Sequence, residues 1–261
     1  MSDALAGTAG RRRIYLMRHG EVRYFDAEGQ AVHPKFVDLT DQGKAQAARM
    51  GELLAAVPFD RALCTGLPRT RQTAQGVLTG RNLALEEIPL LKEIHSGPGS
   101  GKSQARRDAE FIYGMETADQ PGARFAGGDL YQEFYERVTG ALEGLLLQPG
   151  WRNLLLVAHD GTNRMLLAWA SYGGLASARA FEQDPGCLNV IDADVVNGEI
   201  LRRLLKLTNL TPTNHSKLGN HLTSMEQVFD YRRQILAGVQ DSYGHIPLAK
   251  PGKTIDEFPD G

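Results

Sequence analysis

Apolar residues along the chain are arranged in short runs and helical stripes. Residues 13–17, Arg-Ile-Tyr-Leu-Met, predict a buried strand that ends directly at Arg18-His19-Gly20. From Thr40 the period changes. Thr40 is an N-cap residue type, and Ala47, Met50, Leu54 and Val57 follow at spacings of three and four, which predicts an amphipathic helix. Residues 59–64, Phe-Asp-Arg-Ala-Leu-Cys, predict a second strand. Pro68 then suits the first position of a helix carrying Arg69. The clearest helix covers residues 128–147. Tyr131, Phe134, Tyr135, Val138, Leu142 and Leu145 lie on its apolar face, with Asp129 and Gln132 as an expected capping-box pair.

Residues 153–158, Asn-Leu-Leu-Leu-Val-Ala, are a continuous apolar run, the pattern of a strand covered on both faces. The run ends at His159, and a helix is expected from about Asn163. Asn197-Gly198 between two strand-like runs predicts a hairpin. Strands alternating with helices define an α/β class: a three-layer α/β/α sandwich with a mostly parallel central sheet and a C-terminal antiparallel hairpin. The expected organisation is a loose arm over 1–10, one domain over 11–209, and a partly helical extension over 210–261. In the extension, residues 224–236 predict a helix with Met225, Val228, Phe229, Ile235 and Leu236 on one side. Packing on its own core is the expected role; capping a pocket and joining two subunits are the alternatives.

Composition narrows the function classes. Hydrophobic residues make up 42 %, and the formal net charge is -2. With no long block of like charge, neither nucleic acid nor a membrane surface is the expected partner. Only two cysteines, Cys64 and Cys187, are present, and the N-terminus shows no secretory apolar segment. A cytoplasmic protein is the expectation.

Three predicted strands end in groups suited to phosphate. The first gives Arg18 and His19, the second leads to Arg69, and the third gives His159. Ligands of open α/β sheets bind beyond the carboxyl ends of the strands, so these residues are expected to share one edge. Guanidinium matches phosphate oxygens two at a time, and a helix first turn favours an anion. A neutral imidazole in such a pocket can attack phosphorus. Singly, each residue has a plainer reading: a surface turn for His19, a satisfied core histidine for His159. The conjunction favours the pocket.

The same residues carry a resemblance. Leu-Met-Arg-His-Gly-Glu (16–21), the 64–74 segment with Arg69, Leu-Lys-Glu-Ile-His-Ser-Gly (91–97) and Leu-Leu-Leu-Val-Ala-His-Asp-Gly-Thr-Asn-Arg (154–164) occur in the order seen in the histidine phosphatase superfamily, the phosphoglycerate-mutase-like proteins. The chain resembles the first branch of that family over residues 12–209. The resemblance implies that His19 is the nucleophile. It implies that Arg18, Arg69 and His159 hold the phosphate, and that Glu93 protonates the leaving oxygen. It implies no metal and no other cofactor, and a small phosphorylated substrate. Asp160 stands where Gly is usual, and offers a second candidate for the acid or an N-cap; Gly161 and Thr162 beside it are further candidate site residues. Glu93 is preferred. Residues 97–103, Gly-Pro-Gly-Ser-Gly-Lys-Ser, imitate a phosphate-binding loop without its spacing. They read as a flexible pocket-side loop with Lys102 a candidate substrate contact, and a plain solvated loop is the favoured alternative. His215, His221 and His245 lack metal-ligand spacing.

Three functions compete. A phosphomonoesterase is the main expectation. A phosphoglycerate-type mutase shares the phosphohistidine but carries a longer insertion than the 98–127 stretch here. A non-catalytic phospho-ligand binder is disfavoured by the intact set of groups. A homodimer is compatible with the extension.

Overall fold

The computed structural model describes residues 5, 7–99 and 101–238. Among the described residues six strands form one sheet, in the order β3-β2-β4-β1-β5-β6. They are β1 (Arg11–Arg18), β2 (Arg61–Cys64), β3 (Leu85–Glu87), β4 (Asn153–Ala158), β5 (Leu188–Val196) and β6 (Glu199–Leu210). β4 pairs in parallel with β1 and β2, and β3 continues that side. β5 runs antiparallel to both β1 and β6. The sheet is therefore mostly parallel with a C-terminal hairpin, as expected. Asn197 and Gly198 turn that hairpin with φ of 52° and 80°, the left-handed conformation such a two-residue turn requires.

Among the described residues six α-helices complete the layers: α1 (Asp41–Leu53), α2 (Pro68–Val77), α3 (Gln104–Ile112), α4 (Tyr131–Leu147), α5 (Asp160–Ala170) and α6 (Ser224–Leu236). The central strand β4 explains why its sequence is apolar throughout. Leu154 and Leu156 point into one core with Val138, Leu142, Met165 and Leu166 of α4 and α5. Leu155 and Val157 point into the other with Met50, Ala74 and Val77 of α1 and α2. Side chains alternate across a strand, so a strand covered on both faces has no polar position to offer. Among the described residues no helix is long and apolar enough to cross a membrane.

Thr40 caps α1, its side chain accepting from the Gly43 N–H, and Pro68 opens α2. Two expected boundaries are corrected. α4 begins at Tyr131 behind Leu130, without a side-chain cap, so no Asp129–Gln132 capping box forms. The Asp129 carboxylate instead accepts from the His95 backbone N–H at 3.0 Å and contacts its ring. α5 begins at Asp160 and not at Asn163, so His159 is itself the N-cap residue.

At the chain's beginning, Gly10 lies against β5, its carbonyl accepting from the Val195 N–H at 3.2 Å. Arg11 and Arg13 pair with the buried Asp194 and Asp192 across the sheet. β6 reaches Leu210. His245 and the final Pro-Leu-Ala-Lys-Pro-Gly stretch lie outside the described residues.

Candidate active site

The ends of β1 and β4 are in register, Arg18 opposite Ala158, and Cys64 at the end of β2 lies opposite Val157. The residues that follow, His19, Thr65 and His159, are therefore brought together at the centre of the sheet's carboxyl edge. α2 adds Arg69 from its first turn. Arg18, His19, Arg69 and His159 are each 4 % exposed or less, and the two imidazole rings lie 5.4 Å apart. The grouping expected from the sequence is the grouping found.

Two close backbone approaches hold the nucleophile loop. A Cβ at Gly20 would lie 2.5 Å from the Gly43 carbonyl oxygen, and one at Gly43 would lie 2.3 Å from that of Glu21. The loop after β1 thus packs backbone to backbone on α1, which only glycine permits. The Gly20 N–H donates to Thr73 Oγ1 at 3.0 Å, tying the loop to α2 as well.

Hydrogen bonds set the tautomers. His19 Nδ1 is 2.8 Å from the Gly20 carbonyl oxygen. A carbonyl only accepts, so Nδ1 carries the proton and Nε2 presents its lone pair. Tyr24 Oη lies 3.5 Å from that Nε2. His159 Nδ1 faces the Arg69 guanidinium at 3.4 Å, which only donates, so His159 Nε2–H donates to Thr65 Oγ1 at 2.8 Å. Burial, followed by Arg69 and Arg18, pushes the His19 pKa well below its ordinary value. Burial and the cations Arg69 and Arg18, with His19, do the same to His159. Both imidazoles are neutral at pH 7 for that reason.

Arg18 donates to the Gln183 carbonyl oxygen, and Arg69 Nη1 to that of Pro34 at 2.6 Å. The Nε donors of both arginines are buried and have no hydrogen-bond partner among the described residues. Two desolvated guanidiniums with unused donors beside two neutral imidazoles form a site that favours an anion.

Glu93 stands at the N-terminus of α5. Its carboxylate accepts from the N–H groups of Gly161 at 2.9 Å, Thr162 at 3.2 Å and Ile94 at 3.0 Å. Burial and then Asp160 raise its pKa, only partly offset by those N–H groups and Arg69. Gly161 is needed beside it, since a Cβ there would lie 2.6 Å from Glu93 Oε1. Thr162 Oγ1 also donates to the Leu91 carbonyl oxygen at 3.3 Å. Asp160 is held differently: both its oxygens accept from Arg164 Nε, at 3.2 and 3.1 Å, and Arg18 Nη1 is 4.0 Å away. Asp160 is thereby committed to the two arginines, whereas a buried carboxyl whose pKa is raised, as at Glu93, is suited to donating a proton.

The described part of 97–103 is a loop, but its lysine is not left to a substrate. Lys102 is bound to both oxygens of Glu110, at 2.6 and 2.8 Å, and Ser103 caps α3. Thr65, Tyr24 and the Pro34 carbonyl, all in contact with the site, were not singled out from the sequence. Thr65 had a signal: it ends a strand next to the other two strand ends. Tyr24 and Pro34 sit in an irregular segment, where pattern gives no position.

The fold and site together define a class: an α/β sheet with a buried anion-binding site of two arginines and two histidines at its carboxyl edge. The chain matches the histidine phosphatase superfamily (branch 1) over residues 14–204 and belongs to that family. It is 34 % identical over 186 residues to an adenosylcobalamin/alpha-ribazole phosphatase of Salmonella typhimurium, covering 69 % of this chain and 90 % of that protein. A 2,3-bisphosphoglycerate-dependent phosphoglycerate mutase 2 of Gloeobacter violaceus is 29 % identical over 169 residues, 59 % of this chain and 73 % of that one. The crystal structure of the alpha-ribazole phosphatase from Shigella flexneri superimposes with a TM-score of 0.60 at 30 % identity, covering 76 % of this chain and 96 % of that one.

Proposed function

We propose that the protein is a phosphomonoesterase that hydrolyses a small phosphorylated metabolite through a phosphohistidine at His19. The observation that carries this reading is the pair of buried arginines with unpartnered Nε donors beside a His19 whose Nε2 carries the lone pair. Arg18, Arg69 and His159 hold the phosphoryl group. His19 Nε2 attacks phosphorus, the P–O bond to the leaving group breaks, and Glu93 gives its proton to the departing oxygen. Water then attacks the phosphohistidine, Glu93 takes a proton from it, and the P–N bond breaks to release phosphate. Asp160 keeps Arg164 in place and lies near Arg18, while Gly161 and Thr162 orient Glu93.

Hydrolysis is preferred over mutase chemistry because the alpha-ribazole phosphatase is matched over more of its length than the mutase is. That relative makes an alpha-ribazole phosphate the first ester to test. Two buried free thiols, Cys64 and Cys187, suit a reducing cytoplasm. The test is phosphate release from a panel of phosphomonoesters in EDTA, with His19→Ala as control. Release in the wild type, with a loss of at least about 10³-fold in the variant, supports the reading. Release that His19→Ala leaves intact overturns it.

A further inference from the structure

The groups that would bind phosphate lie deep: His19 is 2 % and Arg69 3 % exposed. An ester bound at Nε2 has to share space with a covering segment. That cover is the segment 22–36 between β1 and α1. It places Tyr24 Oη 3.5 Å from His19 Nε2 and the Pro34 carbonyl oxygen 2.6 Å from Arg69 Nη1. A phosphoryl group needs both of those protein atoms, so cover and phosphate compete for them.

The cover is a self-contained unit. Asp26 accepts from the N–H groups of Glu28 and Gln30, and Phe25 bridges to Ala31. Only Gly29 within it is buried, and what lies on Gly29 is Leu236 of α6. α6 makes the other contacts from above. Phe229 sits between Phe25 of the cover and Phe111 of α3, with ring centroids 5.9 Å from each. Arg232 lies 5.3 Å over the Phe25 ring, donates from Nε to the Gly29 carbonyl oxygen at 3.2 Å, and pairs with Asp108 of α3 at 3.4 Å. Arg23 stacks at 3.9 Å on Tyr231. α6 in turn is fastened at its start, where the Ser224 N–H donates to Glu182, which also holds Arg164. Ser224 is its only buried residue. Most of its other residues are half-buried, so it opens at lower cost than an element of the fully buried core. It also lies beyond residue 204, where the family match ends.

We propose that residues 22–36 are a substrate-selecting cover clasped by α6, with Tyr24, Phe229 and Arg232 as its specificity-determining residues, and that it favours phosphomonoesters bearing a planar aromatic group. Opening breaks the Phe25–Phe229 contact; an aromatic leaving group replaces that contact, and a short aliphatic one does not. Apparent affinity for any phosphate is multiplied by the fraction of molecules already open, so weakening the clasp, which raises that fraction, tightens binding. The inference rests on the phosphomonoesterase reading above.

The test uses the full chain and two measurements. Inorganic phosphate is titrated by calorimetry into wild type, Phe229→Ala and Arg232→Ala, and into Tyr24→Phe, which deletes a single hydroxyl and no packing. Phosphate is expected to bind about three- to tenfold tighter to each variant. The ratio of kcat/KM for benzyl phosphate over propyl phosphate, whose leaving alkoxides are of similar basicity, is expected to exceed one in the wild type and to fall several-fold in Phe229→Ala. Melting curves verify that each variant is folded. If wild type hydrolyses both esters but either phosphate affinity or the ratio stays at its wild-type value in the folded variants, the cover is overturned and the phosphatase reading stands. A wild type that neither binds phosphate nor hydrolyses any ester overturns both.

Discussion

Thr65 Oγ1 lies 2.8 Å from His159 Nε2 and 3.1 Å from Thr70 Oγ1, whose own hydroxyl donates to the Leu67 carbonyl oxygen. The relay has one consistent direction of donation, from imidazole to Thr65 to Thr70 to backbone. It leaves His159 Nδ1 as the nitrogen that faces Arg69 and the site. Thr65→Val keeps the shape and removes the acceptor. A lost hydrogen bond of about 1 kcal/mol predicts a fall of roughly five- to tenfold in kcat/KM for the best ester, with the fold kept. Steady-state kinetics beside a melting curve decide it; an unchanged kcat/KM would show that the relay does not orient the ring.

The pH dependence of the rate follows from two opposed shifts. His19 must be neutral to attack, and its pKa is pushed well below the ordinary 6.5 by burial and by Arg69 and Arg18. Glu93 must be protonated to release the alcohol, and burial and Asp160 raise its pKa above the ordinary 4.5. Both shifts extend the competent form, His19 toward acid and Glu93 toward neutrality. The expected kcat/KM profile declines on its alkaline side as Glu93 ionises, at a higher pH than an ordinary glutamate would give. Glu93→Gln should lower the rate by about 10²–10⁴-fold and remove the alkaline decline. A profile whose alkaline limb survives in the variant assigns that limb to another group.

Stability carries the other half of the histidine shifts. In the unfolded chain His19 and His159 take up protons near pH 6.5, while in the folded protein both pKa values are lowered. Between those limits the unfolded state binds more protons, so stability rises with pH through the window and falls as pH drops below about 6.5. Thermal melts from pH 7.5 to 5 should show that decline. His159→Asn should show a shallower one, because one of the two burial penalties is gone. An equally steep decline in the variant places the acid sensitivity elsewhere.

Much of this was legible in the sequence because strand and helix ends carry local signals. The apolar run at 153–158 announced a strand buried on both faces, and its end positioned His159. Asn197-Gly198 fixed the hairpin, and Pro68 the start of α2. The errors arose where tertiary contacts override local rules. Asp129 has the chemistry of an N-cap but is recruited by His95, and α4 starts bare. Asp160 looked as if it preceded the helix, but the Glu93 carboxylate caps the free N–H groups of Gly161 and Thr162, so α5 can begin at once. Lys102 is neutralised by Glu110, two turns of chain away, which no spacing rule anticipates. Segment 22–36 has no period, so Tyr24 over His19 was invisible until the fold brought them together.

Gly161 offers a separate check on the donor. A Cβ at this position would lie 2.6 Å from Glu93 Oε1 and 3.4 Å from Met115 Cε. Its φ is not in the left-handed region, so alanine is tolerated by the helix and improves its propensity. The atom it strikes is the far end of a flexible side chain, which can swing aside with little loss of stability. The swing removes the carboxyl from the α5 amides that hold it. Gly161→Ala is therefore expected to keep its melting temperature to within a few degrees while kcat falls by about 10-fold or more, since small displacements of a catalytic group are costly. The loss should be smaller for esters of acidic alcohols such as phenols, which need less protonation on leaving. If alanine lowers the rate equally for phenyl and alkyl phosphates, the carboxyl at Glu93 is not the group that protonates the leaving oxygen.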